Sequence, residues 1–212
     1  MKNILVYADS LSWGLIPLTR NRLPFAARWP GVLENALLAN GLNTRVSEHC
    51  LNGRRTVWED PFKAGRNGLI GLAQLIEAQS PLDLVILMLG TNDFQSMHNL
   101  NAWHSAQGTA ALIQATRLAP IEPGMKAPPI LVIAPPPILT PRGAIAGKFL
   151  GGDAKCVGLS AALAQVCTDV QCSFFDAASV VCSSPLDGVH LDAAQHAVLG
   201  AALAFPVQKL LA

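Results

Sequence analysis

Five residues spread along the chain are of the types that acyl-transfer chemistry requires. Ser10, in Ala8-Asp9-Ser10-Leu11-Ser12-Trp13-Gly14, carries a hydroxyl that becomes a good nucleophile once a base takes its proton. His190 can act as that base near neutral pH. Asp187 lies three residues before it in Asp187-Gly188-Val189-His190, so a tight turn can return the carboxylate to the imidazole. There it would fix the ring tautomer and stabilise the imidazolium that forms. Gly53, in Asn52-Gly53-Arg54, offers a backbone N–H with no Cβ to obstruct close approach. Asn92, in Gly90-Thr91-Asn92-Asp93, offers a side-chain amide. Nucleophile, base, base-orienter and oxyanion donors are thus all represented. Each segment also has a plainer reading: Ser10 as an N-cap, Asn92 and Asp93 as turn formers, and Asp187-Gly188 as a turn with His190 on the surface.

Chemistry follows only if the fold brings these segments together. Apolar runs of strand length alternate with segments of helical period. Strands are expected at Asn3 to Tyr7, Thr44 to His49, Leu82 to Leu89, Ile130 to Ala134 and Ser173 to Asp176. Leu82 to Leu89 is apolar on both faces, as a central parallel strand should be. Helices are expected at Trp29 to Asn40, Asn67 to Gln79, Ala102 to Leu118, Cys156 to Val170 and Leu191 to Leu211, with Pro206 a candidate break in the last. This alternation predicts a three-layer α/β/α sandwich around a five-stranded parallel sheet, flavodoxin-like, over residues 1–212 as one domain. The reactive segments follow strands or precede the final helix, at the carboxyl edge where open α/β sheets bind ligands.

Taken together, the segments resemble blocks I, II, III and V of the SGNH (GDSL-type) hydrolase family, in order and over nearly the whole chain. Asp9-Ser10-Leu11 matches block I with Ala8 in place of its glycine, Gly53 matches block II, Gly90 to Asp93 match G-x-N-D, and Asp187 and His190 match D-x-x-H. The resemblance implies a Ser10, Asp187 and His190 triad, with an oxyanion hole from the N–H groups of Ser10 and Gly53 and the Asn92 amide. Further matches (Arg28-Trp29-Pro30-Gly31-Val32-Leu33, Pro135-Pro136-Pro137, Phe174-Phe175-Asp176-Ala177) are similar to one bacterial branch of arylesterase/acyltransferase and carbohydrate acetylesterase-like enzymes. That branch implies small acyl groups, usually acetyl, on aryl, alkyl or sugar alcohols, no cofactor, and acyl transfer or perhydrolysis as a side activity. Several of its members are octamers, so a homo-oligomer is expected. A thioesterase or lipase-like member is the alternative within the family, and a non-catalytic flavodoxin-like binding protein the alternative outside it.

Leu11, Trp13, Phe94, Ile138 and Val189 flank the motifs and are candidates for an apolar substrate pocket, though each suits a core equally well. Phe149 and the stretch Gly143 to Gly152 are candidates for a lip over the site or a subunit contact. At Ala8 a positive φ would cost roughly 1 kcal/mol or more, whereas a negative φ would cost little. Ser160, in Gly158-Leu159-Ser160-Ala161-Ala162, lies inside a helical pattern with no strand before it and reads as structural. His98 and His104 have no acidic or cysteine neighbour at ligand spacing, so no metal is expected.

Composition narrows the classes further. Hydrophobic residues make up 51% and charged ones 14%, which excludes disorder and leaves little surface repulsion against self-association. Lys and Arg number 15 against 14 acidic residues with no basic run, so neither nucleic acid nor an anionic membrane has an electrostatic footprint here. The apolar N-terminal run is too short for a signal peptide and no stretch reaches the ~20 residues needed to span a bilayer. Five scattered cysteines without C-x-x-C spacing read as idle thiols, and a cytoplasmic location is expected.

Overall fold

A computed structural model describes all of residues 1–212. In chain order the elements are β1 (Lys2–Ala8), α1 (Ser10–Trp13), α2 (Trp29–Ala39), β2 (Thr44–Cys50), α3 (Leu72–Gln79) and β3 (Leu84–Met88), then α4 (Ala102–Arg117), β4 (Ile130–Ala134), α5 (Gly152–Lys155), α6 (Leu159–Asp169), β5 (Ser173–Asp176) and α7 (Ala193–Leu211). The strands form one sheet in the order β2-β1-β3-β4-β5, every pair parallel. The chain steps outward from β1 to β2, then crosses back to β3, so the winding reverses between β1 and β3. Ligand sites in such sheets open at that reversal. Ala8 pairs with Met88, which sets the segments after β1 and β3 side by side.

Side chains alternate across the strands, and both faces are apolar. Leu5, Tyr7, Val85, Leu87 and Val132 face Leu72, Ile76, Leu112 and Leu163 of α3, α4 and α6. Ile4, Val6, Leu84, Ile86 and Met88 face Leu33, Leu37, Leu199 and Leu203 of α2 and α7. The two helices on that second face cross closely at Gly200, where a Cβ would stand 2.6 Å from the Val32 Cβ and 2.7 Å from the Trp29 carbonyl oxygen.

The helices depart from the sequence expectation at three places. α3 starts at Leu72 rather than Asn67, because Gly71 is left-handed at φ +81° and the Asn67 side chain accepts from the Leu69 N–H to form a turn. α6 starts at Leu159 rather than Cys156, after Gly158 at φ +85°. α7 runs unbroken through Pro206, which lies on a half-exposed side of the helix with Ala202, the residue whose carbonyl loses its partner.

All five cysteines are free thiols: Cys156 and Cys167 are buried, Cys50 and Cys172 half-buried, and Cys182 exposed. No helix is long and apolar enough to cross a membrane.

Candidate active site

β1 ends at Ala8, which is fully buried between Cys50 and Met88 and does not have a positive φ, so alanine fits where the motif has glycine. Asp9 then caps α1: its Oδ1 accepts from the Leu11 N–H at 2.9 Å, and Gly14, at φ +82°, closes the turn by donating to the Ser10 carbonyl. Ser10 is therefore the first residue of a helical turn, and its N–H has no intrahelical acceptor.

Across the sheet edge, the loop before α7 folds Asp187 back on itself. Its Oδ1 accepts from the N–H groups of Val189 and His190, each at 2.9 Å. Its Oδ2 lies 2.7 Å from His190 Nδ1. Gly188 allows this with φ +79° and with no Cβ, which would meet the Thr140 carbonyl oxygen at 2.5 Å. Burial works to raise the Asp187 pKa, but the His190 hydrogen bond and charge, with the two N–H groups, outweigh it and hold the carboxyl below the ordinary range. With a proton on Nδ1, Nε2 is free to accept, and it stands 3.1 Å from Ser10 Oγ.

Asn92 enters from a short 3-10 turn after β3 (Thr91–Phe94). Its Nδ2 donates to Asp9 Oδ2 at 2.8 Å and to the Arg54 carbonyl at 3.1 Å, while its Oδ1 accepts from Gln95 Nε2 at 2.7 Å. Gln95 Oε1 in turn accepts from Arg55, which is paired with Asp60 at 3.0 Å. A buried chain of polar groups thus runs from Asp60 to Asp9 through the amide. Burial pushes the Asp9 pKa up to about 6, against the Leu11 N–H, His190, Asn92 and Arg54. Asp93, which accepts from Thr56 and Ser105, is likewise pushed up to about 6 by burial. Gly53 has φ +86°, and a Cβ there would meet only the Arg66 side chain at an ordinary 3.8 Å, so backbone conformation rather than crowding asks for glycine. Its N–H has no acceptor within the protein.

Ser10, Gly53, Asn92 and His190 line one cavity of about 100 Å³, walled by Leu15, Ile145 and Phe149. A neighbouring cavity of about 500 Å³ holds Asp187 on its wall and shares Leu15, Arg20, Ile145, Lys148 and His190 with the first. This arrangement can activate a hydroxyl, and it has donors beside the hydroxyl for an oxyanion.

Residues 9–198 match the profile of the GDSL-like lipase/acylhydrolase family. The chain belongs to that family. Its fold is that of the family's carboxylic ester hydrolases: the Mycobacterium smegmatis aryl esterase in inhibitor-bound form superposes with a TM-score of 0.94 at 32% identity, over 100% of both chains. Est24, a carbohydrate acetylesterase from Sinorhizobium meliloti, gives 0.93 at 32% identity over 99% of this chain and 100% of its own. An arylesterase of Vibrio mimicus is 35% identical over 92 residues, 43% of this chain; the match spans 38% of that curated relative's length.

Within this member of the family, the five residues proposed from sequence for substrate binding lie away from the Ser10 cavity. Leu11 and Val189 are buried in the two cores, because each neighbours a site residue and points the other way. Trp13 is half-buried at the end of α1 under the Arg22 guanidinium, 4.8 Å from its ring. Phe94 and Ile138 line a separate apolar cavity of about 530 Å³ with Pro135 to Pro137 and Leu159. The apolar walls at Ser10 are instead Leu15, Ile145 and Phe149, the last in the glycine-rich stretch singled out from sequence. Ser160 is structural, its Oγ donating to Asp176 at 2.7 Å. The Asn101 side chain accepts from the His104 N–H to cap α4, and no group of His, Cys, Asp or Glu is placed to hold a metal ion.

Sequence reasoning missed Gln95 and Arg55. Their only local signal is proximity to Asn92 and Gly53; the contact that joins them, Arg55 to Gln95, spans 40 residues of sequence.

Proposed function

We propose that this protein is a serine esterase that cleaves short-chain carboxylic esters of aryl, alkyl or sugar alcohols through an acyl-Ser10 intermediate. The observation that carries this reading is the line from Asp187 through His190 to Ser10, at 2.7 and 3.1 Å, opening on a cavity whose wall also holds Gly53 and Asn92. His190 Nε2 takes the Ser10 proton as Oγ attacks the ester carbonyl. The oxyanion receives the N–H groups of Ser10 and Gly53 and the Asn92 amide, and Asp187 stabilises the imidazolium. His190 then protonates the departing alcohol. Water, activated by the same imidazole, attacks the acyl-serine and releases the acid; an alcohol in place of water gives acyl transfer. A cavity of about 100 Å³ beside Ser10 favours acetyl-sized acyl groups over long chains. The names of the Mycobacterium and Sinorhizobium relatives, an aryl esterase and a carbohydrate acetylesterase, support the same class. The same reading includes one domain over residues 1–212, a cytoplasmic location and a homo-oligomer, an octamer by resemblance, which light scattering of the purified protein tests.

Hydrolysis of 4-nitrophenyl acetate by the wild type and its loss in Ser10→Ala are the expected results. No turnover by the wild type, or equal turnover by both, would overturn the esterase reading. In a series from acetyl to dodecanoyl esters kcat/KM is expected to peak at the short end. A maximum at long chains would favour the lipase-like alternative.

A further inference from the structure

Four basic side chains surround the two cavities at Ser10, and none is paired. Arg20, Arg142 and Lys148 line the larger cavity beside His190, and Lys63 joins Arg20 and Lys148 at the smaller one. The ion pairs of the molecule are Lys2 with Asp83, Arg22 and Arg28 with Glu48, Arg55 with Asp60, and His190 with Asp187; the four cations take part in none. Two carboxylates reach the cavity walls, and both are committed. Asp187 is saturated by His190 and two backbone N–H groups, and Asp60 by Arg55 and the Phe62 N–H. Formal net charge over the whole chain is only +1, so this excess is local. Lys148 registers it: burial first, and then Arg55, Lys63 and Arg20 against the pull of Asp60, hold its pKa below the ordinary lysine value.

The chemistry says which half of the ester meets these cations. The acyl carbonyl must lie among Ser10, Gly53 and Asn92, all on the wall of the smaller cavity. The leaving oxygen must reach His190 Nε2 for its proton, and His190 is the site residue that both cavities share. The alcohol therefore extends into the larger cavity, between Arg20, Arg142 and Lys148. We propose that the preferred ester carries an anionic group, a carboxylate or a phosphate, on its alcohol half, received by these three side chains. This rests on the esterase reading above. Unpaired cations at a concave mouth raise both the local concentration and the arrival rate of an anion, and salt weakens the effect.

The test compares 4-acetoxybenzoate and 4-acetoxyphenyl phosphate with the neutral methyl 4-acetoxybenzoate. At low ionic strength kcat/KM is expected to be about tenfold higher or more for an anionic ester than for the neutral one. That ratio should shrink in about 0.5 M NaCl and in Arg142→Gln and Lys148→Gln. The better of the two anionic esters names the group. A ratio at or below one, or a ratio that neither salt nor either substitution changes, would overturn the proposal. Calorimetry on Ser10→Ala separates recognition from turnover: 4-hydroxybenzoate should bind more tightly than its methyl ester, and equal affinity would also overturn the proposal. If the wild type cleaves none of the esters, the esterase reading fails, while tighter binding of 4-hydroxybenzoate would still uphold the anion site.

Discussion

The Asn92 amide is aimed by groups that never face the cavity's centre. Asp9 and the Arg54 carbonyl hold its two protons and Gln95 holds its oxygen, so the side chain cannot flip without breaking all three bonds. In the proposed reaction the oxyanion takes one of these protons in place of the Arg54 carbonyl, whose bond at 3.1 Å is the longer of the two. Removing one such donor costs about a hundred- to a thousandfold in kcat. Gln95 acts one step behind it, as a positioning residue. Gln95→Glu keeps an acceptor for Arg55 but has no proton to give Asn92 Oδ1. We expect kcat to fall by about tenfold with KM little changed, a loss of roughly 1.4 kcal/mol in the transition state alone. Equal rises in KM with kcat intact would show that Gln95 shapes the pocket instead. At this scale the sequence was readable where reactive types sit at element boundaries: Ser10, Gly53 and Asn92 follow strands, and Asp187 and His190 precede the last helix. Gln95 and Arg55 were not readable, because a buried polar chain is defined by partners that only folding supplies.

Elements were legible where one periodicity ran without interruption. The β3 segment Leu84–Met88 is apolar throughout and buried throughout, and α2 and α4 fall within a residue of their expected ends. Helix starts at α3 and α6 were misplaced because a left-handed glycine breaks the helix inside an apolar pattern that continues across it. The close crossing of α2 and α7 was equally invisible, since it depends on a partner helix far away in the chain. Gly200→Val should destabilise the fold by about 1–3 kcal/mol by overpacking against Val32 and the Trp29 carbonyl. In a chain of this size that corresponds to roughly 2–4 °C of Tm per kcal/mol, read by a thermal melt. An unchanged Tm would mean the two helices separate at no cost.

For the molecule as a whole, the alternation of strand and helix made the parallel sheet and its reactive edge readable. The cavity walls were not, because Leu15 and Arg20 come from the connection between α1 and α2, and Ile145, Lys148 and Phe149 from that between β4 and α5, both placed by tertiary packing. Acid stability is also a whole-molecule property. His196 is fully buried, its Nδ1 accepting from the Trp29 N–H, and burial, then the charges of Arg28 and His190, push its pKa from 6.5 down to about 4. The unfolded chain then binds more protons, so this group takes stability away as pH falls from 6.5 toward 4, by at most about 3 kcal/mol. Asp9 and Asp93, raised from 3.8 to about 6, have the opposite sign: they cost stability above pH 6, and that cost is relieved as pH falls toward 3.8. Asp187, lowered, gives its full contribution above 3.8 and loses it only below. His196→Gln should therefore make the urea midpoint climb between pH 6.5 and 4.5 relative to the wild type. A pH profile of the midpoint parallel to the wild type's would remove His196 as a contributor. Among the five thiols, Cys182 alone is exposed, and it lies on the same loop as Asp187 and His190. A fluorescent maleimide added to the folded protein should accordingly attach once per chain, giving an optical reporter of that loop's motion without a single engineered residue.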